Sequence, residues 1–594
     1  MNVQGRNDAE RRVVAAVRAG EPADLRAGDA GQTGDAGQDD PERGDGWGPD
    51  RTIRAGLLIE LLTARPDGHR PRPIKLRGVR VTGTLGLEAA ELVRPVSLRD
   101  CHIDEPVDLS EASAPAIRMP GSYVPALHAD QLRTAGNLDL DGAVIGRVSL
   151  VGARIGGRLS LKGARLHDHD GVALRGDGLD VGEGVFMRDG FTAQGEISIA
   201  GARVGGRFSL AGAHLANPGG RALNAERLDL DHDLRCCDGF TSRGEIRLVG
   251  ARIGGQFELD GAHLSNPGAV ALHADALTVG QSVFGRRGLV VEGELRLVGA
   301  RVGGVRNLTG ATLRNPSGRS FHAVRMNIGG DLHLRRGFTS DGELQLSGIT
   351  VGGQVELNDS VLANPGGQAL DLESATAAAL LLVPRRSPDG VVNLTNARVG
   401  IFEDAEDTWP ARARLEGFVY ETLADDRVGV RARLRWLARQ QDGYAPRVYD
   451  QLAAACRRAG REEAARKVLI AKQWRRRRML GPPGRLTNWL LYVTVGYGYR
   501  TRLAALWLAA LLATGTWGFE VAYPDAMVRV DPKGPAFHAF GYTLDVLLPI
   551  VDIGQQKTWR PQGAAMYWSW TLVAAGWILT TAVVAGLTAT LRRD

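Results

Sequence analysis

The chain has 594 residues, enough for two to four domains rather than one core. Its 78 glycines are interleaved with Leu, Val and Ile without a collagen period, which excludes both a triple helix and a disordered tract for the bulk. The net charge of +6 is unevenly spread: about −3 over residues 1–70, about 0 over 71–400, +6 over 401–480 and +3 over 481–594. A neutral middle excludes nucleic-acid capture there.

Residues 1–50, rich in Gly, Asp and Gln, read as a disordered tail with one short helical stretch near Asp8–Val17. No apolar signal region opens the chain, so the bulk is expected in the cytoplasm. Asp50 as N-cap, followed by Ile53, Leu57, Leu58, Leu61 and Leu62 and stopped by Pro66, predicts an amphipathic helix in 51–70. It is placed as a lid on whatever follows, because open β edges are usually covered.

An internal repeat decides the fold of 71–420. The string Gly152-Ala-Arg-Ile-Gly-Gly-Arg-Leu-Ser-Leu-Lys-Gly-Ala-Arg-Leu166 returns at 201–215, 250–264, 299–313 and, weaker, 348–362, each step being 49 residues. Asn217-Pro218, Asn266-Pro267, Asn315-Pro316 and Asn364-Pro365 keep the same step. Apolar residues alternate within each unit, as in Phe208/Leu210 and Phe257/Leu259, between Gly-Gly or Gly-Ala corners. Short strands with no helix between them cannot build a βαβ array. Stacked coils bury such strands, each coil pairing with the next about 4.8 Å away. The expected fold class is therefore a β-solenoid, a β-helix of short parallel strands with two or more coils per 49-residue unit.

After residue 420 the period changes to 3.6. Val430–Arg439, Val448–Arg458 and Glu462–Trp474 predict helices, the last two joined at Gly460 as one helical hairpin in a basic domain, 421–484. Its end, Arg475, Arg476, Arg477 and Arg478, reads as a cytoplasmic anchor on anionic lipid of the inner leaflet. Residues 485–594 form the expected membrane domain. Spans are predicted at about 503–522 and 564–591, with Trp507, Trp517, Trp568 and Trp570 as partial interfacial belts. Two spans put Arg592-Arg593 on the same side as the Arg475 cluster, which makes the location a multi-pass cell membrane with solenoid and both termini cytoplasmic. Between the spans, 534–552 is expected to be interfacial or re-entrant, and His538, Asp545 and Asp552, seven apart, would form one polar stripe if helical.

Several motifs carry candidate chemistry. Thr494-Val495-Gly496-Tyr497-Gly498 matches a potassium-filter pentapeptide but lacks a preceding span. The ladders Glu196, Glu245, Glu294, Glu343 and Arg154, Arg203, Arg252, Arg301 recur at 49. A carboxylate ladder could serve a carbohydrate enzyme, but the equal periods suggest mutual neutralisation along a solvated face. Asp229, Asp231 and Asp233 alternate outward as a weak cation candidate. His167-Asp168-His169-Asp170 falls where later units carry Asn-Pro. Cys101, Cys236, Cys237 and Cys456 form no CxxC pair, and alternation points the adjacent two to opposite faces. No cofactor motif is found, so no cofactor is expected.

The Gly-Ala-Arg-Ile-Gly-Gly units, Tyr449-Asp-Gln-Leu-Ala453 with Ala464–Lys472, Gly496-Tyr-Gly-Tyr499 and Gly576-Trp-Ile-Leu-Thr-Thr581 resemble a family of bacterial proteins, actinobacterial in type. These pair β-helix repeats with a basic hairpin and C-terminal membrane helices. Members are often labelled membrane-associated oxidoreductases, so the resemblance implies a membrane protein and puts redox chemistry on the table. The residues themselves favour a membrane-anchored scaffold for an unidentified protein or polymer partner over an enzyme, and a membrane-associated oxidoreductase is carried by the family label alone. A small pore or effector gated by the solenoid is the alternative, and self-association is compatible with the exposed coils.

Overall fold

A computed structural model of the chain describes residues 6–26, 39–64, 72–424, 428–440, 443–476, 501–548 and 550–591, with isolated positions between 477 and 500. The chain divides into two units: residues 1–428 with 439–441, and 429–438 with 442–594.

The first unit is a β-solenoid of about 15 turns of parallel strands. Pairing registers resolve the 49-residue repeat into two unequal coils. Asp180 pairs with Arg203, Arg203 with Asp229 and Asp229 with Arg252, steps of 23, 26 and 23 residues. Earlier coils are shorter: His102, Tyr123, Val144 and Arg165 follow one another at 21 residues. In the larger coil the excess is a protrusion. Ala216 pairs with Gln194 and Leu223 with Ile197, so Asn217–Gly220 are extra and bulge outward. In each copy the asparagine side chain donates back across the bulge, Asn217 Nδ2 to Arg221 O at 2.8 Å, Asn266 to Val270 O at 2.8 Å, Asn315 to Arg319 O at 2.8 Å and Asn364 to Gln368 O at 2.7 Å. That bond explains why asparagine recurs.

Inward positions stack in register. One column reads Leu159, Val185, Phe208, Leu234, Phe257, Val283, Arg306, Leu332 and Val355. Every member but one is apolar. Each buried large side chain contributes about 1.5–3 kcal/mol, which is what drives coil formation in strands only two residues long.

Residues 1–50 are not a tail where they are described. Helix α1 (Asp8–Ala19) opens with a capping box between Asn7 and Glu10, and Ala23–Asp24 pairs in parallel with Leu76–Arg77. Glu10, 1% exposed, grips Arg54 through Nε at 2.8 Å and Nη2 at 2.9 Å, and that bond lowers its carboxyl pKa. The signal missed was Asn7 three residues before Glu10. Helix α2 (Ala55–Thr63) starts later than expected: Asp50 is not its N-cap, and Thr52–Arg54 is a strand paired with Arg80–Thr82. Leu57, Leu58, Leu61 and Leu62 are buried as anticipated, and Pro66 lies outside the described residues.

The second unit is helical, with α3 (Val430–Leu437), α4 (Pro446–Arg458), α5 (Glu462–Arg476), α6 (Thr501–Ala522), α7 (Ala539–Leu547) and α8 (Ala564–Leu591). Helices α4 and α5 form the expected hairpin, turned at Gly460 with φ +71°. Among the described residues one stretch, Ala505–Ala522, is long and apolar enough to cross a membrane. The three later helices close on Phe519, Tyr542, Val546, Leu547 and Leu572. Glycines permit the contact: a Cβ on Gly576 would lie 1.9 Å from Leu547 O, and one on Gly515 would lie 2.4 Å from Thr543 Cγ2. Gly576→Leu is accordingly expected to split α7 from α8. A drop of several degrees in the melting temperature, with α4–α5 unaffected in hydrogen exchange, would register it.

Candidate functional site

The glutamate ladder lies beside the Asn-Pro bulges. Each Glu follows a glycine with φ between +113° and +122° (Gly195, Gly244, Gly293, Gly342). A Cβ on Gly244 would stand 2.5 Å from Asn217 O, so the bulge of one coil fixes the glycine of the next. The partners of the glutamates are not the repeated arginines. Glu196 faces Arg221 at 3.6 Å, Glu343 faces Arg319 at 3.8 Å, Glu245 contacts Arg247 Nη1 at 3.4 Å and His273 Nδ1 at 3.2 Å, and Glu294 contacts His322 Nδ1 at 2.8 Å. The His322 hydrogen bond lowers the pKa of Glu294, whereas burial raises that of Glu343. His273 Nε2 reaches Asp275 at 3.2 Å, and Asp275 accepts from Arg296 at 2.8 Å. Each carboxylate of the ladder thus meets an arginine or histidine of an adjoining coil, and Glu245 also meets Arg247 of its own strand.

Arg154, Arg203, Arg252 and Arg301 sit on the other sheet, so the expected mutual neutralisation of the two ladders does not occur. Equal period reveals only a shared repeat, not a shared face. The outward lane of these arginines reads Ser113, Arg133, Arg154, Asp180, Arg203, Asp229, Arg252, Thr278, Arg301 and Asn327. Arg203 and Asp229 approach to 3.7 Å.

The three aspartates of the cation candidate do not converge. Asp229 faces Arg203, Asp233 accepts from Arg207 Nη2 at 3.1 Å and from Gln256 N–H at 2.9 Å, and Asp231 turns the corner where other coils have glycine. No three His, Cys, Asp or Glu side chains gather as a metal ligand set among the described residues. Asp168 accepts from Val172 N–H at 3.2 Å and pairs with Arg147 at 3.0 Å, holding the first bulge shut as asparagine does later.

All four cysteines are free and buried. Cys236 and Cys237 are 1% and 2% exposed, so alternation does not bring either to solvent. Burial pushes the Cys101 and Cys237 thiols up to about 12 and raises Cys236 as well, which keeps them protonated at neutral pH and poor nucleophiles.

In the helical unit the seven-residue spacing does not make a stripe, because α7 spans only Ala539–Leu547 and excludes two of the three residues. His538 is its N-cap and accepts from Gly541 N–H at 3.3 Å. Asp545, 6% exposed, accepts from Ile553 N–H and Gln556 N–H, each at 2.8 Å. Asp552 pairs with Lys557 and accepts from Gly554 N–H. His538 thus fixes the start of α7, while Asp545 and Asp552 organise the loop after it. Arg475 and Arg476 end α5, whereas Arg477, Arg478, Thr494–Gly498 and Arg592-Arg593 lie outside the described residues.

Sequence reading passed over Arg306. It is about 1% exposed, its Nε and Nη2 have no hydrogen-bond partner, and its guanidinium lies 5.0 Å from the Phe321 ring centroid. The signal was present: Val305-Arg306 stands where other units read Arg158-Leu159, Arg207-Phe208 and Gln256-Phe257.

These features define a parallel β-solenoid whose ionic side chains pair laterally. Among known proteins the chain matches no family model, no curated protein and no solved structure.

Proposed function

We propose that the chain is a membrane-anchored scaffold whose solenoid faces the cytoplasm and presents a long repetitive surface to a protein or polymer partner. The observation that carries this reading is the lateral pairing of charges. The ladder distributes carboxylates evenly along coils instead of converging them, which suits extended contact rather than catalysis. Anchoring is supported by the apolar surface of the helical unit: Leu506, Trp517 and Val521 on α6 and Trp570, Trp577 and Ile578 on α8 are all at least 56% exposed. In this reading α6 and α8 are the two spans, and the basic end of α5 rests on anionic lipid.

The full chain should then stay with membranes through high-salt and alkaline washes and leave only with detergent, while a chain ending at residue 484 should be released. Recovery of the intact chain in the salt wash overturns the anchor. Deleting 201–347 removes three whole 49-residue units and leaves neighbouring coils able to stack. Loss of one defined co-purifying partner on that deletion supports the scaffold, and partner-free protein from its own membrane opposes it.

A further inference from the structure

Along the arginine lane from Ser113 to Asn327, Arg133 and Arg154 are the one place where two arginines are adjacent in register. The cause is coil length. Between them the coil is 21 residues, so a second arginine falls where the later 26-residue coils put Asp229, Thr278 or Asn327. Adjacent parallel strands stand about 4.8 Å apart, and like charges directly opposite destabilise a sheet. Both side chains are exposed, and among the described residues neither has a carboxylate within ion-pair distance.

The same two residues line a groove of about 690 Å³, within the ~300–1,000 Å³ range of small-molecule sites. Gly156 and Gly182 floor it. A Cβ on either would lie 2.5 or 2.4 Å from the carbonyl of the preceding coil, so the floor stays flat and open to close approach. Carboxylates stand at its two ends: Asp180, one coil beyond Arg154, and Glu91, which pairs with Ser113 and so lies two coils before Arg133 and three before Arg154. Asp180 is exposed and accepts hydrogen bonds only. The groove is therefore cationic at its centre and bounded by acceptors.

We infer that this groove binds a phosphate monoester of a polyhydroxy compound, with the phosphate bridging Arg133 and Arg154 and ligand hydroxyls donating to Asp180. Two guanidiniums match a phosphate of about −1.5 to −2 charge and can each hold it bidentately. Hydroxyl donors satisfy Asp180, which a bare phosphate would meet only as a second negative charge. The site lies within the solenoid and does not depend on membrane attachment, so it stands or falls separately from the anchor.

The test is calorimetric titration of the full chain in non-ionic detergent with glucose 6-phosphate and with inorganic phosphate, chloride holding ionic strength constant. Both anions are expected to bind saturably, with glucose 6-phosphate the tighter. Arg133→Gln and Arg154→Gln should each weaken glucose 6-phosphate at least about tenfold, while Arg252→Gln, an isolated arginine of the same lane, changes it less than twofold. Asp180→Asn should weaken glucose 6-phosphate and leave inorganic phosphate unchanged or tighter. Absence of saturable binding overturns the site, as does an Arg252→Gln loss equal to that of Arg154→Gln. Equal affinity for the two anions overturns the polyhydroxy class. A melting profile of each variant matching the wild type in chloride, or exceeding it once the arginine repulsion is relieved, keeps misfolding from mimicking the loss.

Discussion

Arg306→Leu is expected to stabilise the solenoid by about 3 kcal/mol, the order of cost for a buried charge left without hydrogen-bond partners. Leucine suits a column whose neighbours in register are Val283 and Leu332. Among the described residues the ring of Phe321, at 5.0 Å, is the guanidinium's one contact of charge type, and that returns about 2 kcal/mol. Burial lowers the pKa of Arg306 to about 9. The folded chain thus releases this proton more readily than the unfolded chain, so stability rises with pH once the folded group begins to lose it. The advantage of the leucine variant should be complete at pH 7 and shrink as pH climbs through 9 towards the unfolded value. Because a solenoid opens locally, amide exchange is the sharper readout. Protection over 301–334 should increase by about two decades at pH 7 in the variant and by less at pH 10. Unchanged or lowered protection would mean that the guanidinium has found a partner in solution.

Coil architecture was legible because the repeat is unbroken: with no insertion between 152 and 362, every strand inherits its register from the unit before. The division of 49 into 23 and 26 was not legible, since the extra residues of the larger coil are an Asn-Pro bulge that reads like any loop. Period likewise could not tell one sheet from the other, so Glu196 and Arg203 looked like partners although their strands lie in different sheets. The polar stripe failed for a different reason. His538, Asp545 and Asp552 have helical spacing, but His538 is spent as a cap and Asp545 binds the returning backbone at 553 and 556. Short polar side chains near helix ends compete for local N–H groups, and spacing alone does not reveal it. Arg306 was visible as a break in the inward apolar column, and only stacking showed how little its neighbours could do for it.

The second large effect concerns the paired glycines at the coil corner. Gly205, Gly254, Gly280, Gly303, Gly329 and Gly352 form a column in which a Cβ would lie 2.2–2.4 Å from the carbonyl oxygen of the preceding coil. The clashing atom is backbone rather than the end of a flexible side chain, so the coils themselves must shift apart. Gly303→Ala should therefore cost about 1–3 kcal/mol, as overpacking against backbone does, even though no left-handed φ is involved; Asp231, in the same column, shows that a single coil can adjust to a Cβ at that cost. Gly299 is the matched control, four residues away in the same coil. Its φ is +66° and a Cβ there would meet nothing within 4 Å, so Gly299→Ala bears only the left-handed penalty of about 1–2 kcal/mol. Non-glycine residues already hold such corners, Arg325 at φ +55° and Ser374 at +56° among them, which shows that the fold tolerates that cost. Limited proteolysis should cut the Gly303→Ala chain between the coils it forces apart, near residues 280–303, and leave the Gly299→Ala chain close to wild type. The reverse order of sensitivity would mean that corner conformation, not carbonyl contact, is what demands glycine in this repeat.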